Sequence, residues 1–329
     1  MILLDVKNLK ITFKTSSENL LAIDDISFHV DKGETVGIVG ETGSGKTITS
    51  LSVMRLLPSN ATVSGEIIFN GSDLLKISEK EIDEIRGKKI SMIFQEPMTA
   101  FDPLYTIGDQ FSEVLFKHEN VSKLAAKKRS IEMLRLVGIP EPEKRFYQYP
   151  HEYSGGMIQR AMIALALLTN PELVIADEPT TGLDVTIQMQ VLNLIKKIQR
   201  SSNLSMIFIT HDLGVISKMA NRIIVLYLGK IFEAGSVKDV IFSSVHPYTK
   251  GLISSVPTLK TIKSEKLYSI PGNVPSLKEI GRGCRFYSRC PVRMDICKDK
   301  DPQLFEYANG HLVACWAANA DRNLVHSHE

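Results

Sequence analysis

Gly40-Glu41-Thr42-Gly43-Ser44-Gly45-Lys46-Thr47 decides how the rest of this 329-residue chain is read. The spacing G-x-x-x-x-G-K-[ST] describes a loop whose backbone N–H groups wrap the phosphates of a nucleotide. Glycines let the backbone approach the ligand, Lys46 reaches the β- and γ-phosphates, and the Thr47 hydroxyl is placed for Mg²⁺. The flanks agree. Residues 34–39 read as a buried strand, and residues 46–57 as a helix whose N-terminus meets the anion. A glycine-rich turn without a ligand is the competing reading of the octapeptide alone.

Outward from the loop, residues 2–13, 22–30 and 63–70 read as short strands separated by turn-formers, as in an antiparallel sheet. Apolar runs at 35–39, 90–94, 172–176, 205–210 and 223–227 alternate with helices, the pattern of a mostly parallel sheet covered by helices. Residues 105–170 hold no convincing strand. Helices at 107–116, 122–137 and 155–169 make this stretch a helical insert.

Lys and Arg number 39 against 37 Asp and Glu, so no global field draws the chain to nucleic acid or anionic lipid. The strongest apolar run, Ala161–Leu168, falls far short of the roughly 18 residues of a membrane helix. The start, Met1-Ile-Leu-Leu-Asp5, has no basic lead and no cleavable apolar segment, so a cytoplasmic chain with reduced cysteines is expected.

Leu173-Val-Ile-Ala-Asp177-Glu178 is an apolar strand ending in two carboxylates. Beside a phosphate loop, the first suits Mg²⁺ and the second suits a general base for the attacking water. Alone, the pair would read as a solvated strand end.

With these parts in order, the chain resembles the ABC-type ATPases. Tyr153-Ser154-Gly155-Gly156-Met157-Ile158-Gln159-Arg160 resembles their signature motif, Gln95 their Q-loop glutamine, Pro179–Asp184 their D-loop, and His211 their switch histidine. Phe13 sits where an aromatic stacks on adenine. The resemblance implies an α/β, RecA-like P-loop core with a mostly parallel sheet, an N-terminal antiparallel β subdomain and a helical insert at about 100–170. The expected division is a cassette over 1–240 and a small cysteine-rich extension over 241–329. It also implies that two cassettes pack head-to-tail, each ATP lying between one chain's phosphate loop and the other's Ser154-Gly155-Gly156. The helix start at Ser154 suits such a second anion site.

Wording around the motifs is most similar to ATPase subunits of dipeptide and oligopeptide importers: Gly37-Ile-Val-Gly40-Glu41, Phe94-Gln-Glu-Pro-Met98, Asp184-Val-Thr186 and His246-Pro-Tyr-Thr249. Tyr153 stands where Leu is usual, Gly182 where Ala is common, and Thr47 in place of Ser. None of these removes a catalytic group. The resemblance implies an ATPase on the cytoplasmic face of the membrane, driving peptide import through two permease subunits fed by an extracytoplasmic binding protein. A soluble ABC-type ATPase of DNA repair, translation or cluster assembly is the alternative; the short insert favours transport. A nucleic-acid partner is not expected.

Cys284, Cys290, Cys297 and Cys315 are the only cysteines, spaced C-x5-C-x6-C-x17-C. Four reduced thiols so close together suggest tetrathiolate ligation of zinc or of an iron–sulfur cluster. The close C-x2-4-C pairs of zinc ribbons are absent, and the importer resemblance implies a 4Fe-4S cluster. Arg282, Arg285, Arg289 and Arg293 lie among the ligands, either offsetting the cluster's charge or simply solvated.

Overall fold

The computed structural model describes residues 1–16, 18–256 and 268–320. Residues 257–267 and 321–329 of the expected extension lie outside the described residues. Strands β1 (Ile2–Lys14) and β2 (Asn19–Asp31) precede β3 (Thr35–Val39), the phosphate loop and α1 (Lys46–Val53). Then come β4 (Ala61–Phe69), the two-residue β5 (Ser72–Asp73), α2 (Glu79–Ile85) and β6 (Ile90–Ile93). The helical stretch holds α3 (Ile107–His118), α4 (Lys123–Leu136), the short α5 (Pro142–Arg145) and α6 (Gly155–Leu167), and ends at β7 (Leu173–Asp177). Next are α7 (Val185–Ser202), β8 (Ser205–Ile209), α8 (Leu213–Met219), β9 (Arg222–Tyr227) and β10 (Lys230–Ser236). The remainder contributes α9 (Pro247–Ser254), α10 (Ile296–Asp299), β11 (Phe305–Ala308) and β12 (His311–Val313).

These elements form two compact units. The first comprises residues 1–4, 30–34 and 69–209, and is built on the parallel strands β6, β7 and β8, with Ile90 opposite Leu173 and Leu173 opposite Ser205. Every residue of these three strands is buried. That is why they read as unbroken apolar runs rather than alternating ones. In the helical insert, α3 opens on a capping box between Thr106 and Asp109 and packs on α4, burying Phe111, Leu115 and Leu134.

The second unit holds residues 5–29, 35–68 and those from 210 onward. Here β3 and β9 pair in parallel, β9 and β10 antiparallel, and β10 continues antiparallel to β12, which pairs with β11. The N-terminal antiparallel β subdomain carries β2, β1 and β4 in that order. α1 stops at Val53, short of the expected 57, because Arg55 adopts φ 49°, a left-handed conformation that ends the helix.

Strands β10, β11 and β12 are not among the strand-like runs expected from the sequence. β10 carries a fully buried carboxylate, Glu233, which accepts from the N–H groups of Val245 (2.7 Å) and His246 (3.2 Å) and pairs with His311 Nε2 (2.7 Å). Behind the phosphate loop lies an aromatic cluster, with ring centroids 4.7 Å apart for Tyr227–Tyr248, 4.5 Å for Phe232–His246 and 5.4 Å for Tyr248–Phe286.

His246 caps α9, its Nδ1 accepting from the Tyr248 N–H at 3.0 Å. Burial pushes its pKa down to about 3. Between pH 6.5 and 3 the unfolded chain therefore binds a proton that the folded one refuses, so stability falls as the solution is acidified. At pH 5 this one group costs about 2 kcal/mol. His246→Asn keeps a capping acceptor without the titration. Its unfolding midpoint is expected to fall less than that of the wild type between pH 7 and 5; parallel falls would refute the assignment.

Candidate active site

The phosphate loop is shaped by close backbone approach. A Cβ on Gly45 (φ 102°) would stand 2.5 Å from Ile23 Cδ1, and one on Gly40 would overlap the Leu226 carbonyl. Lys46 is buried and donates from Nζ to the carbonyls of Gly40 (2.8 Å) and Glu41 (3.1 Å). α1 starts at Lys46 with no side-chain cap on its N–H groups, and the buried Ser44 hydroxyl has no hydrogen-bond partner among the described residues. Uncapped helix donors and an orphaned hydroxyl fit an anionic ligand. Thr42, Gly43 and Thr47 are exposed along the same loop.

One loop residue is already engaged. The Glu41 N–H donates to Tyr248 Oη at 2.9 Å, and its carboxylate is gripped by Arg289. In the same unit, the Thr210 N–H donates to the Ile38 carbonyl at 3.3 Å, which puts the exposed His211 just beyond the strand that feeds the loop. Phe13 is half-buried near the end of β1.

In the first unit, Asp177 closes β7 and is buried, whereas Glu178 turns into a left-handed conformation at φ 46°. Such a conformation costs about 1–3 kcal/mol in a non-glycine residue and clusters at functional sites. The Glu178 N–H donates to the Ile209 carbonyl (2.9 Å), and its Oε2 accepts from Gln95 Nε2 (3.3 Å) and Thr181 Oγ1 (2.8 Å). Two residues chosen separately from the sequence, Gln95 and Glu178, thus meet directly.

The signature segment starts α6. Ser154 caps it, its Oγ accepting from the Met157 N–H at 3.4 Å, and Ser154 and Gly155 are exposed while Gly156 is half-buried. Tyr153, unusual in the motif, is buried and donates its hydroxyl to the Arg145 carbonyl at 2.9 Å. It is a packing residue of the insert, and burial holds its phenol well above the usual range. Gly182 has φ 79°, so the residue found where Ala is common serves a left-handed turn.

All four cysteines are free thiols, and among the described residues no three His, Cys, Asp or Glu side chains are arranged to hold a metal ion. Burial, joined by nearby charge from Cys297, Asp301 and Cys290, pushes the Cys284 thiol up to about 12. Burial likewise raises Cys290 and Cys315. Two of the neighbouring arginines are neither cluster counter-charges nor solvated: Arg285 pairs with Asp24 (2.7 Å) and Arg289 with Glu41 (2.7 Å). Sequence reasoning missed the Arg289 and Tyr248 contacts to the loop, and no local pattern signals them.

Comparison with known proteins agrees with this geometry. The ABC transporter family model matches residues 23–181, and the model for the oligopeptide/dipeptide transporter C-terminal region matches residues 232–297. The chain is 51% identical to the oligopeptide transport ATP-binding protein OppD of Bacillus subtilis, over 97% of this chain and 90% of that one. It is 49% identical to the dipeptide transport ATP-binding protein DppD of the same organism (95% and 94% covered) and 46% identical to OppD of Escherichia coli (95% and 93%). A dimeric ATP-binding cassette solved in a post-hydrolysis state with ADP and Pi superposes with a TM-score of 0.64 at 29% identity, covering 71% of this chain and 98% of that one. Fold and loop define an ATP-binding cassette, an ATPase of the ABC class. The chain belongs to the ABC transporter family, in the branch of the oligopeptide and dipeptide ATP-binding proteins.

Proposed function

We propose that this chain is the ATP-hydrolysing subunit of a peptide importer, working at the cytoplasmic face of the membrane. Its partners are a second cassette (itself or a paralogue), two permease subunits and, indirectly, an extracytoplasmic peptide-binding protein. The observation that carries this reading is the joint presence of a phosphate loop with a bare helix start and a Glu178 carboxylate held by Gln95 and Thr181. Among the described residues no helix is long and apolar enough to cross a membrane.

In this reading Lys46 and the loop amides other than that of Glu41 hold the phosphates, and Phe13 stacks on adenine. The hydroxyl of Thr47, the carboxylate of Asp177 (through water) and the Gln95 amide oxygen are hard donors suited to Mg²⁺. Bound there, Mg²⁺ supplies positive charge to the phosphate oxygens. Glu178 takes the proton of the attacking water, and His211 orients that water against the γ-phosphate. Ser154, Gly155 and Gly156 complete the partner cassette's site rather than their own. Gln95 links the nucleotide to the permease.

The four thiols belong to the same proposal. Nearby cysteine charge helps raise three of the thiols: Cys297 and Cys290 act on Cys284, Cys315 and Cys297 on Cys290, and Cys297 on Cys315. A cationic centre relieves that repulsion, which suits a 4Fe-4S cluster, with zinc as the alternative. Purification from membranes tests the whole reading: permease subunits should accompany the chain, and the vesicles should take up peptides only with ATP. Iron and sulfide with visible absorption are expected in the same material. ATPase free of membrane partners would refute the importer, and a colourless protein with one equivalent of zinc would refute the cluster.

A further inference from the structure

The second residue of the phosphate loop is a carboxylate, which is adverse at a place that must receive a triphosphate. Glu41 is nevertheless 27% exposed at its side chain and paired with a guanidinium that is only 4% exposed. Arg289 Nη1 donates to Glu41 Oε2 at 2.7 Å and Nη2 to Oε1 at 3.0 Å, a bidentate fork. The fork is fixed from behind: Nε donates to the Pro271 carbonyl at 3.0 Å, Nη1 reaches Tyr227 Oη at 3.3 Å, and the guanidinium carbon lies 5.8 Å from the Tyr227 ring centroid. The Glu41 backbone is held as well, by Tyr248 Oη. Lys46 donates to the carbonyl of the same residue. Side chain, N–H and carbonyl of Glu41 are thus each engaged, and two of the three partners come from the segment that follows the cassette's last strands.

We propose that Arg289 is a positioning residue for ATP binding: it neutralises Glu41 and fixes the first turn of the phosphate loop from the C-terminal extension. An arginine suits this because it cannot lose its charge and its planar fork matches a carboxylate. Asp would not reach as far, and a neutral residue at 41 would leave the guanidinium buried without its anion. The coupling also runs through the cysteine segment, since Arg289 immediately precedes Cys290 and Arg285, one residue after Cys284, is anchored to Asp24 and to the Leu228 carbonyl. By linkage, whatever favours the bound loop must favour this arrangement of the segment.

The inference rests on the loop being the triphosphate site, so the wild-type chain is titrated with fluorescent ATP in the same experiment. Absence of wild-type binding would defeat that underlying reading. If the wild type binds, Arg289→Gln is expected to weaken affinity by about tenfold or more, the worth of a charged hydrogen-bonded contact. Arg289→Lys should fall between, keeping charge but losing the fork. The double variant Glu41→Gln/Arg289→Gln should recover to within about threefold of wild type, because the repulsion has gone. Raised salt should narrow the gap between wild type and Arg289→Gln. Wild-type affinity in Arg289→Gln, or a double variant as weak as the single one, would overturn the proposal. Should Arg289→Gln fail to fold, Arg289→Lys decides: affinity below wild type by a gap that narrows in raised salt supports the proposal, and any other result overturns it.

Discussion

Glu178→Gln is expected to lower ATP turnover by about 10²–10⁴, the usual worth of a positioned general base, while ATP binding persists. The carboxylate is the group lost; its place is not. Gln is isosteric, and its amide oxygen can still accept from Thr181 Oγ1 and Gln95 Nε2, the two donors that now meet at Oε2. The left-handed backbone at φ 46° is paid for by the Ile209 carbonyl, which the substitution does not touch. Phosphate release gives the rate and nucleotide titration gives the affinity. Turnover close to wild type would remove Glu178 from its role, and loss of both quantities would mean that it supports the ligand rather than the water.

Lys46→Ala is expected to weaken ATP binding by about 10–10², the worth of a hydrogen-bonded contact to a charged group. Here Lys46 Nζ rests on the Gly40 and Glu41 carbonyls, so the ammonium is already held inside the loop that it serves. Preorganisation of this kind means little is spent on ordering the side chain when phosphate arrives. The same contacts imply a smaller structural cost, since two carbonyls lose a donor. Far-UV circular dichroism and the unfolding midpoint separate that cost from affinity. Binding as tight as wild type would show that the loop is not the phosphate site.

The parts of the fold legible in the sequence are those fixed by local pattern. β6, β7 and β8 are buried on both faces and read as continuous apolar runs, and the loop is spelled out by its glycines, lysine and threonine. The capped starts of α3, α4 and α6 carry Thr106, Ser122 and Ser154, as helix starts should. What could not be read depends on distant partners. β10 looks unlike a strand because Glu233 is buried in it, satisfied by Val245, His246 and His311, and because its register to β9 shifts between Ile231 and Glu233. Arg289 stands next to Cys290 in the sequence, yet it pairs with a carboxylate 248 positions away. The left-handed turn at Glu178 likewise has no sequence signal, since nothing in an Asp-Glu pair requires a positive φ.

The same Glu178→Gln variant gives the most direct measurement of the central claim, that one chain's phosphate loop is completed by a second cassette. The complex, purified with its companion subunits and loaded with labelled ATP and Mg²⁺, is separated rapidly from free nucleotide, and the species that retains label is weighed. ATP is predicted to stay only with assemblies holding two cassettes, and to be released when Ser154 is also replaced in the facing copy. Labelled ATP retained by a single cassette, or retention indifferent to Ser154, would contradict the account.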